Sequence, residues 1–183
     1  MSLTLRLLDH DFDAHQYLSI KVGATLGIMV ATEMLGEEAF DDPAGWFALA
    51  QGPLTPVLAQ VAGARYAFAG RVRQSYHWEE EDLAITYLLL DTPTPITVLG
   101  SSFDAVPLNI EAGDWLYGIA GLKLVWEESL EIPIGQPLQA TIQEIQRLFL
   151  HPGPGFGLTH SITTLPPEPF GQDEVLLVLR SKK

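Results

Sequence analysis

Between residues 66 and 78, apolar and polar side chains alternate with the two-residue period of a strand. Tyr66, Phe68, Val72, Tyr76 and Trp78 share one parity, and Arg71, Arg73, Ser75 and His77 share the other. The pattern predicts an amphipathic strand with the aromatic set facing inward. Leu83 to Leu90 (LAITYLLL) is more continuously apolar, as a deeply buried strand would be, and the acidic run Glu79 to Asp82 between the two reads as the solvated turn of a hairpin. The turn chemistry of Asp91 to Pro95 precedes a third strand, Ile96 to Leu99, and Gly113-Asp114 introduces a longer fourth, Trp115 to Trp126.

The flanking segments are less regular. Leu3 to Leu8 and Tyr17 to Val22 are short strand candidates; Gly23 to Leu35 is too continuously apolar for its period to separate helix from strand, and is assigned to strand. Three segments read as helices. Asp42 followed by Pro43 supplies an N-cap and a first-turn proline for Pro43 to Ala50, ended by Gly52 and Pro53. Thr55 to Ala62 reads as a second helix, and Leu138 to Leu150 as a third, because Leu138, Ile142, Ile145 and Phe149 fall at helical spacing with Gln, Glu and Arg between them. His151 to Gly157 (HPGPGFG) stops that helix, and Glu174 to Leu179 returns as a C-terminal strand. The fold class expected is therefore α+β and predominantly antiparallel: a small barrel-like or strongly curved sheet with two or three flanking helices. One domain spans 1–183, its core sheet at about 64–127 and residues 1–63 and 138–183 packed on it.

Within the middle segment, Ala69-Gly70-Arg71-Val72, Tyr87 to Asp91, Pro95 to Val98, and Gly113-Asp114-Trp115 to Leu122 together resemble the strand rhythm of an OB-fold barrel. Such barrels often begin their first strand near a glycine and their fourth at a Gly-Asp turn. The resemblance covers about a third of the chain and implies a small antiparallel barrel that binds oligonucleotides or oligosaccharides across the face of its second and third strands.

Charge departs from that pattern. The 183 residues carry 10 Lys and Arg against 23 Asp and Glu, a formal charge of −13, which repels phosphate backbones and anionic membranes. The acid lies in the first two thirds: residues 1–62 hold 2 basic and 8 acidic groups, 63–137 hold 4 and 11, and 138–183 balance 4 against 4. Generic nucleic-acid binding is disfavoured. With 47% hydrophobic and 18% charged residues the chain is a globular one, large enough to bury a core without staples. It contains no cysteine, which excludes disulfides, thiolate metal sites and cysteine nucleophiles, and a reducing cytoplasm is the easiest fit. The N-terminus reads as no signal peptide, because Asp9, His10, Asp11, Asp13 and His15 arrive too soon, and the apolar run Val22 to Ala31 is half the length of a membrane span.

Asp9, His10, Asp11, Asp13 and His15 form the densest set of metal-capable side chains, with hard carboxylate oxygens beside imidazole nitrogens. Neighbours about 7 Å apart along an extended segment cannot all reach one ion, so distant ligands would have to complete a site. An EF-hand is excluded, since Ala14 stands where that loop needs glycine and Ile20 where it needs glutamate. His77, His151 and His160 form no HExxH or HxH pair, His160-Ser161 lacks a nucleophile elbow, and Gly153 to Gly157 lacks the Lys and Ser/Thr of a phosphate loop. The carboxylates of Glu79 to Asp82 and Glu127-Glu128 read as solvated strand ends. Arg71, Arg73 and Lys123 are candidates for an anion- or ligand-binding face, with cross-strand pairing to acidic neighbours as the competing reading. The function expected is a soluble, non-catalytic binding or assembly module that associates with itself through apolar strands and Trp/Tyr surfaces. The alternatives are a metal-dependent hydrolase using the Asp9 to His15 cluster and an acidic mimic of nucleic acid that occupies a basic partner. No cofactor is expected, and the partners expected are further copies of the chain or another protein, not generic nucleic acid or a membrane.

Overall fold

A computed structural model describes residues 2–7, 20–36, 44–80, 82–103, 107–125, 137–150, 154–165 and 173–181. These form eleven strands and, among the described residues, no helix. The strands are β1 (Ser2–Leu7), β2 (Thr25–Gly36), β3 (Gly45–Leu49), β4 (Val57–Ala62), β5 (Arg65–Glu80), β6 (Leu83–Asp91), β7 (Ile96–Phe103), β8 (Trp115–Val125), β9 (Leu138–Leu148), β10 (Thr159–Ile162) and β11 (Glu174–Ser181).

All eleven belong to one sheet, whose pairings close on themselves twice. In the first circuit β5, β6 and β7 run as an antiparallel meander. β7 lies parallel to β2, β2 is antiparallel to β8, and β8 returns antiparallel to β5. The second circuit shares β2 and β8: β8 meets β1 in parallel at Lys123 and Arg6, β1 pairs with β11, β11 with β9, and β9 with the first residues of β2. Closure leaves, among the described strands, only the three outside the circuits as edges. β3 is added along β8, β4 along β5 and β10 along β9. The segments that carry the OB-fold resemblance fall on β5 to β8, while the circuit is closed by β2, from a part of the chain outside that rhythm.

One apolar core serves both circuits, running from Leu3, Leu5 and Leu7 through Leu122 and Leu124 to Leu88, Leu90 and Val98. Thr32, buried at the parallel junction of β2 and β7, accepts the Leu99 N–H at 3.0 Å through its hydroxyl, so the irregular register there leaves that amide satisfied.

The α+β expectation, with its flanking helices, is overturned by this all-strand architecture. Pro43 to Ala50 contains β3, whose Phe47 is fully buried opposite Gly118 of β8. The backbones approach so closely that a Cβ on Gly118 would stand 2.2 Å from the Trp46 carbonyl oxygen. The segment Thr55 to Ala62 contains β4, joined to β5 by a two-residue turn at Gly63-Ala64, where Gly63 takes φ +51°. Leu138 to Leu150 contains β9, and the reason for the misreading is a bulge. Opposite Val178 and Leu179 the register skips Gln143, so the buried positions run Ala140, Ile142, Ile145, and one inserted residue turns a strand period into a helical i, i+3 spacing. A bulge at Arg73 likewise reverses the parity of β5. Val72 faces the core, but beyond it Tyr76 is exposed while Ser75 and His77 pair with the buried Leu88 and Thr86. The strand expected over Tyr17 to Val22 lies partly outside the described residues; Lys21 makes an isolated bridge to Thr164.

Candidate functional site

The Asp9 to His15 cluster lies outside the described residues, among which no group of three or more metal-capable side chains converges. His151, Glu127 and Glu128 also lie outside them.

The candidate cations Arg71, Arg73 and Lys123 are divided between the two ends of β8. Arg71 pairs across from Trp115, and its Nε donates weakly to the Gly113 carbonyl at 3.4 Å. Arg73, pushed outward by the bulge, bridges Asp91 at 3.1 Å with both side chains about half exposed. Lys123 sits eight residues along β8 from Trp115, roughly 26 Å away at strand rise, beside Arg6 of β1.

Around that second end the topology assembles a polar pocket of about 310 Å³, lined by Arg6, Glu33, Arg65, Gly121 and Glu174 among others. Arg6 is its centre. Nη1 donates to Glu33, and Nη2 and Nε both donate to one oxygen of Glu174, at 2.8 and 3.0 Å. Burial disfavours the charged guanidinium, but the contacts to Glu174 and Glu33 outweigh it and hold the Arg6 pKa above its ordinary value. Gly121 leaves the room: a Cβ there would come within 3.0 Å of a Glu33 carboxylate oxygen. The cluster ties β1, β2 and β11 together over β8, the seam where the two circuits meet. Arg65, on the opposite wall, makes no ion pair among the described residues.

Between the two ends lies a different surface. The strands run β3–β8–β5–β4, and two rows of paired residues cross all four: Ala48, Tyr117, Ala69, Val57, and then Trp46, Ile119, Ala67, Ala59; Ala48 is buried, and the other seven are half-buried or exposed. None of the eight is charged. Trp46 and Tyr117 meet edge to face with ring centroids 5.7 Å apart, while Tyr117 and Val57 are each 38% exposed. Both outer strands come from residues 43–64, a run of 22 residues without a charged side chain in a chain that carries 33.

Two other polar groupings pin strands together. Asp173, whose side chain is inaccessible, receives Arg147 at 2.8 Å and the Leu150 N–H at 2.9 Å, fixing the end of β9 to the start of β11. Ser161 of β10 donates to Glu144 of β9 at 2.8 Å; that bond and one from Gln146 draw the Glu144 pKa below the usual carboxylate range.

Sequence reasoning missed the pocket, because Arg6, Glu33, Arg65 and Glu174 come from four separate regions and no local motif announces them. The apolar face did leave a signal, the charge-free run, which the helix reading of its two segments obscured. Comparisons with family models, with curated proteins and with solved structures yield no match to this chain. No helix among the described residues is long and apolar enough to cross a membrane.

Proposed function

We propose that the protein is a non-catalytic assembly module that associates with further copies of itself. The observation that supports the reading is the uncharged outward face of β3, β8, β5 and β4, with Trp46, Val57, Tyr117 and Ile119 on one side of a chain whose formal charge is −13. Like-charged molecules repel over most of such a surface, and a neutral apolar patch is where a second acidic copy can approach without bringing carboxylates together. Aromatic side chains there supply contact area at small conformational cost. The test is the solution mass across a concentration series: a mass that rises above the monomer with concentration supports the reading, and a monomer at every concentration removes it.

A further inference from the structure

Resting on that reading, we infer that the assembly joins unlike surfaces: the apolar tip of the β9–β10 hairpin in one copy docks on the β3–β8–β5–β4 face of another. The chain has two long runs without Asp, Glu, Lys or Arg, residues 43–64 and residues 148–167, and no other run is as long as either. Uncharged runs of that length ordinarily supply a core, but these two hold seven of the eleven large apolar side chains exposed among the described residues. The first run supplies the outer strands of the face. The second supplies the tip, where Leu150, Phe156 and Leu158 are 38%, 62% and 56% exposed; among the described residues no large apolar side chain is more exposed than Phe156.

Backbone bonds hold the tip in shape. The Gly157 N–H donates to the Phe149 carbonyl at 2.8 Å, the Phe149 N–H to the Leu158 carbonyl at 3.1 Å, and the Leu158 N–H to the Gly155 carbonyl at 2.9 Å. Gly155 and Gly157 take φ +92° and +77°, which only glycine adopts without strain. Phe149 is occupied within the molecule, with the Arg147 guanidinium 5.0 Å from its ring centroid and the His160 ring packed edge to face at 5.3 Å.

The tip cannot reach the face of its own molecule. Lys123 lies four positions past Ile119 along β8 and is level with Arg6; one step on, Leu7 faces Val175, and the next step reaches Glu174 opposite Leu148. Leu150 therefore stands about eight positions past the Ile119 row and directed away from it, roughly 26 Å at strand rise. One chain thus carries two uncharged apolar surfaces that only a second copy can bring together. Stacking face on face would leave the tip of every copy exposed, and tip on tip would leave the face, whereas tip on face covers both. The shapes agree as well. The tip protrudes, and the face is lowest along Ala67 and Ala69 of β5, between Tyr117 and Ile119 of β8 and Val57 of β4.

Three side chains at the tip offer roughly 300 Å², well under the about 800 Å² that each partner buries in a standard interface. A single contact is therefore reversible, with a dissociation constant on the order of micromolar or weaker. Because it joins unlike surfaces, it either closes into a ring, of which a two-fold dimer is the smallest, or continues from copy to copy.

Sedimentation equilibrium over a concentration series tests the pairing with single variants and with their mixture. Phe156→Glu spoils the tip. Val57→Glu and Tyr117→Glu each spoil the face, at positions 38% exposed, and Val22→Glu, at an exposed apolar position outside both surfaces, adds the same charge as a control. Each tip or face variant alone is expected to weaken association by about tenfold or more, because its carboxylate must be buried without a partner; Val22→Glu should leave it unchanged. The deciding sample is an equimolar mixture of Phe156→Glu and Val57→Glu. One retains a sound face and the other a sound tip, so the mixture is expected to form complexes of one copy of each at concentrations where either variant alone is monomeric. Association kept by Phe156→Glu and lost in both face variants would show face on face, and the reverse would show tip on tip; either overturns the pairing and leaves self-association standing. Loss in all three variants without recovery in the mixture overturns it too. So does Phe156-dependent binding to phosphatidylcholine vesicles by a protein whose association Phe156→Glu leaves intact, since the tip then serves a lipid surface. A parent monomeric at every concentration removes self-association itself.

Discussion

The backbone N–H of Thr4 donates to the phenol oxygen of Tyr66 at 2.7 Å, across 62 positions of sequence. Thr4 sits on β1 and Tyr66 on β5, two strands that do not pair with each other, so the contact couples the two circuits of the sheet through a side chain that is 1% exposed. Tyr66→Phe keeps the ring and leaves the Thr4 amide without its acceptor. The expected loss is about 1–3 kcal/mol, read from urea unfolding, together with faster exchange of the Thr4 amide. Tyr76→Phe, at an exposed position, should stay within about 0.5 kcal/mol of the parent. Equal unfolding midpoints for the two variants would show that the Tyr66 hydroxyl contributes nothing.

The bulge on β5 separates two neighbours by face. Val72 is 1% exposed in the core, while Arg73 is the inserted residue and pairs with Asp91 in the open. Val72→Asp buries an unpaired carboxylate and should cost several kcal/mol, enough to unfold a marginal domain. Arg73→Asp exchanges an exposed ion pair for a repulsion and should cost about 1 kcal/mol or less. Thermal melts of the two variants check the assignment; similar melting temperatures would place Val72 on the wrong face.

The same bulges explain which parts of the fold were legible in the sequence. From Tyr66 to Val72 the two-residue period is unbroken, and along β6 the apolar run is continuous as in a deeply buried strand; both strands follow from these patterns. Where one residue is inserted, at Arg73 and Gln143, the period is lost, and Ile142 with Ile145 imitates a helix face although both point into the core of a sheet. β3 (GWFAL) and β4 (VLAQVA) are too short for local preference to give them an identity; pairing to β8 and β5 does. The closure of both circuits through β2 depends on partners far along the chain, about 66 residues away at the Ser101 to Leu35 contact, which no local pattern encodes. Arg71 and Arg73 could be singled out by parity, whereas the Arg6 cluster exists only once β1, β2 and β11 are brought over β8.

Glycine on β8 sets a second contrast. A Cβ at Gly118 would lie 2.2 Å from the Trp46 carbonyl and 2.9 Å from the Phe68 ring, so Gly118→Ala must push β3 off β8 or displace the core beneath it. The expected cost is about 1–3 kcal/mol. Gly52→Ala meets nothing within 4 Å and should be neutral or slightly stabilising, since it restricts the unfolded chain. Differential scanning calorimetry separates the two, and a Gly118→Ala variant as stable as the parent would contradict the close approach of β3.

Arg6 offers a test that depends on pH. Its side chain is 37% exposed and its partners Glu33 and Glu174 are 20% and 25% exposed, so solvent screens the network. Arg6→Gln should therefore cost about 1 kcal/mol rather than the several expected of a buried pair. The sign of the pH dependence follows from the direction of the shift. Burial alone would lower the Arg6 pKa, but the two carboxylates raise it above its ordinary value in the folded protein. A group whose folded pKa is raised contributes its full stabilisation below the unfolded value and loses it only as pH rises through the folded one. For a guanidinium that window lies in strong base. The difference between parent and Arg6→Gln should therefore stay constant between about pH 6 and about pH 9, where neither folded nor unfolded arginine titrates. Urea midpoints measured across that range check it. A difference that shrinks toward the basic end would assign the stabilisation to a group that titrates there, and no difference at all would mean that the seam between the circuits is held by its apolar core alone.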